Sequence, residues 1–208
     1  MSSEGIVRLR RGVGRGLAFV VSGPSGAGKN SAIDRVMARV PGLSYSVSYT
    51  TRPRRAGETD GVDYRYVSRA EFDRLVACGG LLEHVTYLGD EYGTSRAQVK
   101  ERFAQGKDVV LNIDVEGAKT VRRQGLAEFS VVFIFFAPAS LDQLGERLAE
   151  RGTESEREIA ARLEVAAREM EAIVLFDYLV VNEKLDQAVE ELASIIVAER
   201  SRIVVAGD

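Results

Sequence analysis

Wholly apolar runs alternate with amphipathic stretches along much of this chain. Leu17–Ser22 (LAFVVS) is apolar almost throughout and leads at once into a glycine-rich turn, the pattern of a strand buried on both faces that feeds a helix. That helix is predicted over about Lys29–Val40, stopped by Pro41 and Gly42. Asp108–Ile113 (DVVLNI), Val131–Phe136 (VVFIFF) and Tyr178–Val181 (YLVV) repeat the buried-strand pattern, each near a helical stretch. Strands and helices in alternation imply an α/β fold with a parallel sheet. Three later helices show one apolar stripe each. Leu141, Leu144 and Leu148 share a face, as do Ile159, Leu163, Ala166, Met170 and Ile173, and Val189, Leu192 and Ile196 do so in a helix over about Leu185–Arg202. Both of the first two stripes are expected to enter a core, and Ser155 with Glu158 has the spacing of a capping box.

The rhythm changes between roughly 44 and 107. Short polar-aromatic strand candidates (Ser44–Thr50, Asp63–Val67, Leu82–Leu88) surround a helix begun by Ser68 with Glu71 three residues on, which reads as an inserted, mostly β lobe. Gly152 to Glu158 is a polar turn between two helices, placed as a mobile cover would be. Residues 1–16, with Arg8, Arg10, Arg11 and Arg15 among glycines, read as a flexible basic arm.

Composition narrows the class. A length of 208 residues, 45% hydrophobic and 28% charged, suits one domain or one core carrying an insertion. No apolar stretch approaches the roughly 18 residues of a membrane span, and residues 1–16 lack an apolar segment with a cleavage site, so a cytoplasmic protein is expected. The single Cys78 and single His84 exclude an internal disulfide and the common zinc sets; both are expected to serve packing. A net charge of -3 argues against general nucleic-acid coating.

The sharpest motif is GPSGAGKNS, Gly23–Ser31, directly after a strand and opening a helix. Gly23, Gly26 and Gly28, with Pro24, Ser25 and Ala27, let backbone N–H groups converge on phosphate oxygens, the helix N-terminus adds its dipole, and Lys29 can reach β- and γ-phosphates. This is a cradle for a nucleoside triphosphate. One position is irregular: where Ser or Thr would offer a hydroxyl to Mg²⁺, the chain has Asn30, which can offer an amide oxygen instead, or the metal can be held by substrate phosphates and water. Ser31 is one residue late and turned about 100° away.

With SVSYTTRPRRAGE (Ser46–Glu58), GVDYRYVS (Gly61–Ser68), EHVTYLGDEYGTS (Glu83–Ser95), NIDVEGA (Asn112–Ala118), ERGTES (Glu150–Ser155) and DYLVVN (Asp177–Asn182) following in order, the chain resembles the guanylate kinases over nearly residues 17–200. The resemblance implies phosphoryl transfer from ATP to GMP or dGMP with Mg²⁺, without nucleic-acid or membrane partners. It also implies a P-loop fold of three layers, a parallel sheet with helices on both faces: a core (17–43 and 108–208), a GMP-binding lobe (44–107) and a small helical lid (about 151–165).

The residue chemistry is consistent with that expectation. An acceptor monophosphate is a dianion that must approach another anion, so it needs guanidinium groups and phenolic hydroxyls. Arg52, Arg55, Tyr64 and Tyr92 supply them, and by resemblance hold the acceptor phosphate. Guanine presents N–H donors that call for a carboxylate, and by match to the family Glu83 is that acid, with Ser48 and Thr94 as hydroxyls. Such a site can reject an unpaired base by roughly 10⁴-fold. Asp114 follows an apolar strand, where a carboxylate can meet Mg²⁺-bound water or the acceptor's sugar and phosphate; Asn112, two before it, stands where the family often has another acid and is expected to face guanine or ribose. Arg147, Arg151 and Arg162 are candidates to stabilise charge on the transferred group, an effect worth about 10³–10⁵ in kcat. Asn182, at a strand end, is expected to read the donor adenine.

Other readings compete. A ribose 1,5-bisphosphate phosphokinase shares this kind of fold, and guanylate-kinase-like binding modules keep it without catalysis. The arginine pair, Tyr64, Glu83, Tyr92 and Thr94 speak against the first, and Lys29 in a complete loop against the second. Nucleic-acid binding through the arm rests on four charges.

Overall fold

The computed structural model describes residues 16–87, 89–125, 129–150 and 155–202. All but Gly16 of the basic arm, Arg151, and residues 152–154 at the start of the expected cover lie outside them.

Five strands, β1 (Leu17–Ser22), β2 (Leu43–Tyr45), β7 (Asp108–Asn112), β8 (Ser130–Pro138) and β9 (Tyr178–Asn182), form one sheet in the order β2-β7-β1-β8-β9. Every pairing in it is parallel. Side chains alternate across a strand, so both faces of β1 must be apolar. Leu17, Phe19 and Val21 bury against α1 (Lys29–Arg39) and α7 (Leu185–Ser201) through Ile33, Val36, Leu192 and Ile196. Ala18 and Val20 bury on the opposite face, with Val99 of α3 (Arg96–Ala104) and Ala118 and Val121 of α4 (Val115–Gln124). Each large buried side chain contributes about 1.5–3 kcal/mol, which makes the central strand a rigid base for the turn at its end.

A second sheet, ordered β4-β3-β6-β5, contains β3 (Tyr49–Thr50), β4 (Arg65–Tyr66), β5 (Leu81–Tyr87) and β6 (Asp90–Ser95). Its pairings are antiparallel except β3 with β4. The remaining helices are α2 (Arg69–Ala77), capped by Ser68, α5 (Leu141–Glu150) and α6 (Glu156–Met170). The Ser155–Glu158 capping box is formed.

Several expectations need correction. The strand predicted over Ser44–Thr50 is two, β2 in the core sheet and β3 in the second, with Gln98 bonding Ser46 Oγ and the Val47 amide between them. Alternation along a strand records which residues share a face but not which sheet it joins. The lobe expected over 44–107 gives both ends to the core, since β2 pairs with β7 and Val99 packs beside Val109. The stripes of α5 and α6 do bury, mostly in a core of their own: Leu144, Leu148 and Ala166 cover one another with Ile159 and Leu163, Met170 and Ile173 pack on Val115, Phe135 and Ala137, and Leu141 stays 36% exposed. Ile173 falls beyond α6 in a 3-10 turn, Glu171–Leu175. His84 and Cys78 are exposed, although the imidazole leans edge-on against Phe72. Among the described residues, no helix is long and apolar enough to cross a membrane.

Candidate active site

β1 delivers the chain into the Gly23–Gly28 turn, and α1 leaves from it. Gly28 precedes α1 at φ 99, and a Cβ there would lie 2.4 Å from Asn182 Nδ2. A Cβ on Gly23 would meet the Phe136 carbonyl at 2.2 Å, so neither position admits a side chain. Lys29 Nζ donates to the Gly23 carbonyl and, at 3.0 Å, to that of Pro24. Burial lowers its pKa to about 8, while the carboxylates of Glu169 and Asp114 act to keep it charged. The ammonium is folded into the loop that a phosphate would enter.

Asn182 is 3% exposed and donates to the Ala27 carbonyl at 2.7 Å, with its Oδ1 left without a partner. Its amide nitrogen thus braces the loop from beneath. Arg147 reaches the same point, donating to the carbonyls of Asn182 at 2.9 Å and Glu183 at 3.4 Å. Arg162 is half-buried on α6, and its charge favours the carboxylate form of Glu158. Arg151 lies outside the described residues.

The expected metal oxygens are committed elsewhere. Asn112 Nδ2 donates to Asn30 Oδ1 at 2.8 Å. Asp114 caps α4, its Oδ1 accepting from the Gly117 amide at 2.6 Å. Ser31 is exposed, and among the described residues no group of three His, Cys, Asp or Glu gathers to hold a metal. The amide oxygen of Asn30 and one carboxylate oxygen of Asp114 are thus engaged within the protein, and Asn112 is turned to Asn30.

On the acceptor side, Arg52 lies between the rings of Tyr64 and Tyr66, 5.5 and 5.8 Å from their centroids. It donates to Glu58 at 2.6 Å and to the Pro53 carbonyl at 2.8 Å. The rings of Tyr64 and Tyr92 meet edge-on at 5.8 Å. Arg52, Tyr64 and Tyr92 thus converge, whereas the Arg55 side chain is exposed and only its backbone N–H joins them, donating to Glu58 at 2.7 Å. Glu58 also accepts from the Tyr66 hydroxyl at 2.7 Å, and with Arg52 as the main cause its carboxyl is held down at about 2. Glu58 had no assigned role in the motif; a lone acid six residues from the arginine it anchors gives no periodic signal.

Glu83 is 4% exposed, and Thr94 donates to its Oε1 at 2.6 Å from the neighbouring strand. Burial pushes this carboxyl up to about 7; Asp114 adds to the rise and the Thr94 bond opposes it. Ser48 is half-buried just before β3, but Thr94 rather than Ser48 is the hydroxyl bonded to the acid. A Cβ on Gly117 would fall 2.8 Å from Glu83 Oε2 and 3.2 Å from Asp114 Oδ1, so this glycine admits the two carboxylates to the start of α4. Burial raises Asp114 as well, and Lys29 draws it down. Glu83, Asp114, Lys29 and Glu169 thus form a charge sequence running from the acceptor lobe to the phosphate loop. Glu169 escaped the sequence reading because it sits on an ordinary charged helix.

A family model described as guanylate kinase matches residues 15–199. Guanylate kinases of Symbiobacterium thermophilum and Thermotoga maritima are each 45% identical to the chain over 190 and 189 residues, covering 91% of it and 89% and 90% of their own lengths. The crystal structure of guanylate kinase from Anaplasma phagocytophilum superposes with a TM-score of 0.72 at 31% identity, covering 91% of this chain and 89% of that one. With the loop, the buried acid and the arginine–tyrosine cluster at one end of the sheet system, this chain belongs to the guanylate kinase family.

Proposed function

We infer that this enzyme, an ATP:GMP phosphotransferase, works by direct in-line transfer between two separately gripped nucleotides. An oxygen of the GMP phosphate attacks the γ-phosphorus of ATP; the new P–O bond forms as the bond to the bridging oxygen breaks, releasing ADP and GDP or dGDP. No general base is needed, because the attacking oxygen is already ionised.

The loop amides of Gly23–Ser31 and Lys29 bind the donor phosphates, and Asn182 supports the loop. Arg52, Tyr64 and Tyr92 take the acceptor phosphate, joined by Arg55 once the anion arrives. Ionised Glu83 accepts from guanine, with Thr94 setting its orientation and Ser48 adding a second hydroxyl. Arg147, Arg162 and Arg151 steady the charge on the transferred group, and the segment around 151–165 excludes water as it closes. Asp114 orients the acceptor near Lys29. Mg²⁺ supplied with the triphosphate would be held by phosphate oxygens and water, with Asp114 able to accept from that water, and would offset charge on the β- and γ-phosphates. The reaction is assigned to the cytoplasm.

The observation that carries this reading is the buried Glu83–Thr94 pair, with Asp114 linking it electrostatically to Lys29. A ribose bisphosphate has no N–H edge to satisfy such an acid. Steady-state assays with GMP, dGMP, AMP and ribose 1,5-bisphosphate test it. Turnover of the two guanine nucleotides is expected, and failure to phosphorylate GMP with ATP and Mg²⁺ sinks the reading.

A further inference from the structure

The two asparagines that interrupt the expected oxygen set are bonded to one another, and the bond has a direction. Asn30 is the second residue of α1 and Asn112 the last of β7. Asn112 Nδ2 donates to Asn30 Oδ1 at 2.8 Å. The Asn112 amide also stands close to Tyr45, the last residue of neighbouring β2, where it opposes the effect of burial on the phenol. Burial pushes the Tyr45 hydroxyl up to about 12, which keeps it protonated.

An asparagine amide carries one oxygen and one doubly protonated nitrogen. With Asn112 donating its nitrogen, Asn30 turns its oxygen toward Asn112. The Asn30 nitrogen is then the group left over. The residue is exposed, and among the described residues no acceptor takes a hydrogen bond from that nitrogen. It follows Lys29 directly, at a helix start where unpaired backbone N–H groups already favour an anion. A serine hydroxyl at this position could turn a lone pair to a divalent cation, whereas an amide N–H₂ can only donate. Its complement is a phosphate oxygen.

We propose that Asn30, oriented by Asn112, is a hydrogen-bond donor to the triphosphate, so that ATP binding here depends less on a divalent cation than it does with serine at this position. The inference rests on the triphosphate reading of the loop given above. It makes Asn30 a binding residue and Asn112 a positioning residue.

Calorimetric titration of the full chain with ATP, once in EDTA and once with Mg²⁺, tests it. N30S is expected to weaken metal-free binding about tenfold, the scale of one hydrogen bond to a charged group, with a smaller loss when Mg²⁺ is present. N112A should weaken metal-free binding severalfold, and N30S/N112A should lose no more than N30S alone. N112A affecting both conditions equally would mark a merely structural role and overturn the relay. Unchanged metal-free affinity in N30S, with an unaltered melting temperature, overturns the proposal. Wild-type GMP turnover together with that result removes this inference alone, whereas absent turnover removes the proposed function.

Discussion

The donor and acceptor halves of the site are built by opposite means. The phosphate loop is a matter of backbone: two glycines tolerate no Cβ, one asparagine props a carbonyl, and the rigidity comes from β1, which is buried on both faces. The acceptor half is a matter of side chains on a small sheet, where Arg52 is held by Glu58 and two aromatic rings, and Glu83 by Thr94. A backbone cradle recognises any polyphosphate, so selectivity must come from the half in which buried side chains have to be matched.

The contrast can be tested from either half. Lys29→Ala removes the single ammonium from the donor half and is expected to lower kcat by about 10³-fold while GMP affinity, read by calorimetry, stays near wild type. Parallel loss of GMP binding would show that the halves are not separable. Glu83→Gln replaces an acceptor oxygen with a donor facing guanine, and kcat/KM for GMP should fall roughly 10²-fold with the KM for ATP unchanged. Gly117→Ala brings a methyl against the Glu83 carboxylate, 2.8 Å from its Oε2. An increase of about tenfold in the KM for GMP is expected, again without an effect on ATP.

Glu83 also makes the acceptor half sensitive to pH. Its carboxyl titrates at about 7, above its ordinary value, so the free folded protein holds this proton more firmly than the unfolded chain. Through this group the unliganded protein gains stability as pH falls from 8 toward 6, while GMP, which requires the carboxylate, binds more weakly over the same interval. The melting temperature without GMP should therefore rise as pH falls, while at saturating GMP it should stay nearly flat, so that the stabilisation by GMP shrinks; a GMP-induced shift that does not change with pH would exclude Glu83 as the controlling acid. The smallest effect is expected for Glu58→Gln. Arg52 keeps its aromatic neighbours but loses its charged anchor, so the KM for GMP should rise about threefold.

The buried strands were legible because a parallel strand covered on both faces is apolar at every position, and the loop because its glycines and lysine have fixed spacing. α3 and α4 were harder to see: α3 buries little beyond Gln98 and Val99, and α4 buries Gly117 and Ala118 with its two valines. Arg52, Tyr64, Glu83, Tyr92 and Thr94 were named from motifs, yet nothing in those motifs distinguished Thr94 from Ser48 as the partner of Glu83, since that pairing arises from the register of β5 against β6. The bracing of the loop by Asn182 was hidden for a related reason. A strand end shows where a side chain begins, while the loop packed over it decides whether that side chain meets solvent or a carbonyl.

Local order along the chain thus established the central sheet, the phosphate-binding turn and the kinds of group that grip two nucleotides, because hydrophobic alternation and glycine spacing act between near neighbours. Folding in three dimensions decided which of those groups are spent on one another. Asn30 and Asn112 are 82 residues apart and Asn182 and Ala27 are 155 apart, and each pair becomes one hydrogen-bonded unit only when parallel strands bring their ends side by side. A polar atom can satisfy a protein partner or await a ligand, and that choice depends on what the tertiary packing brings within about 3 Å of it.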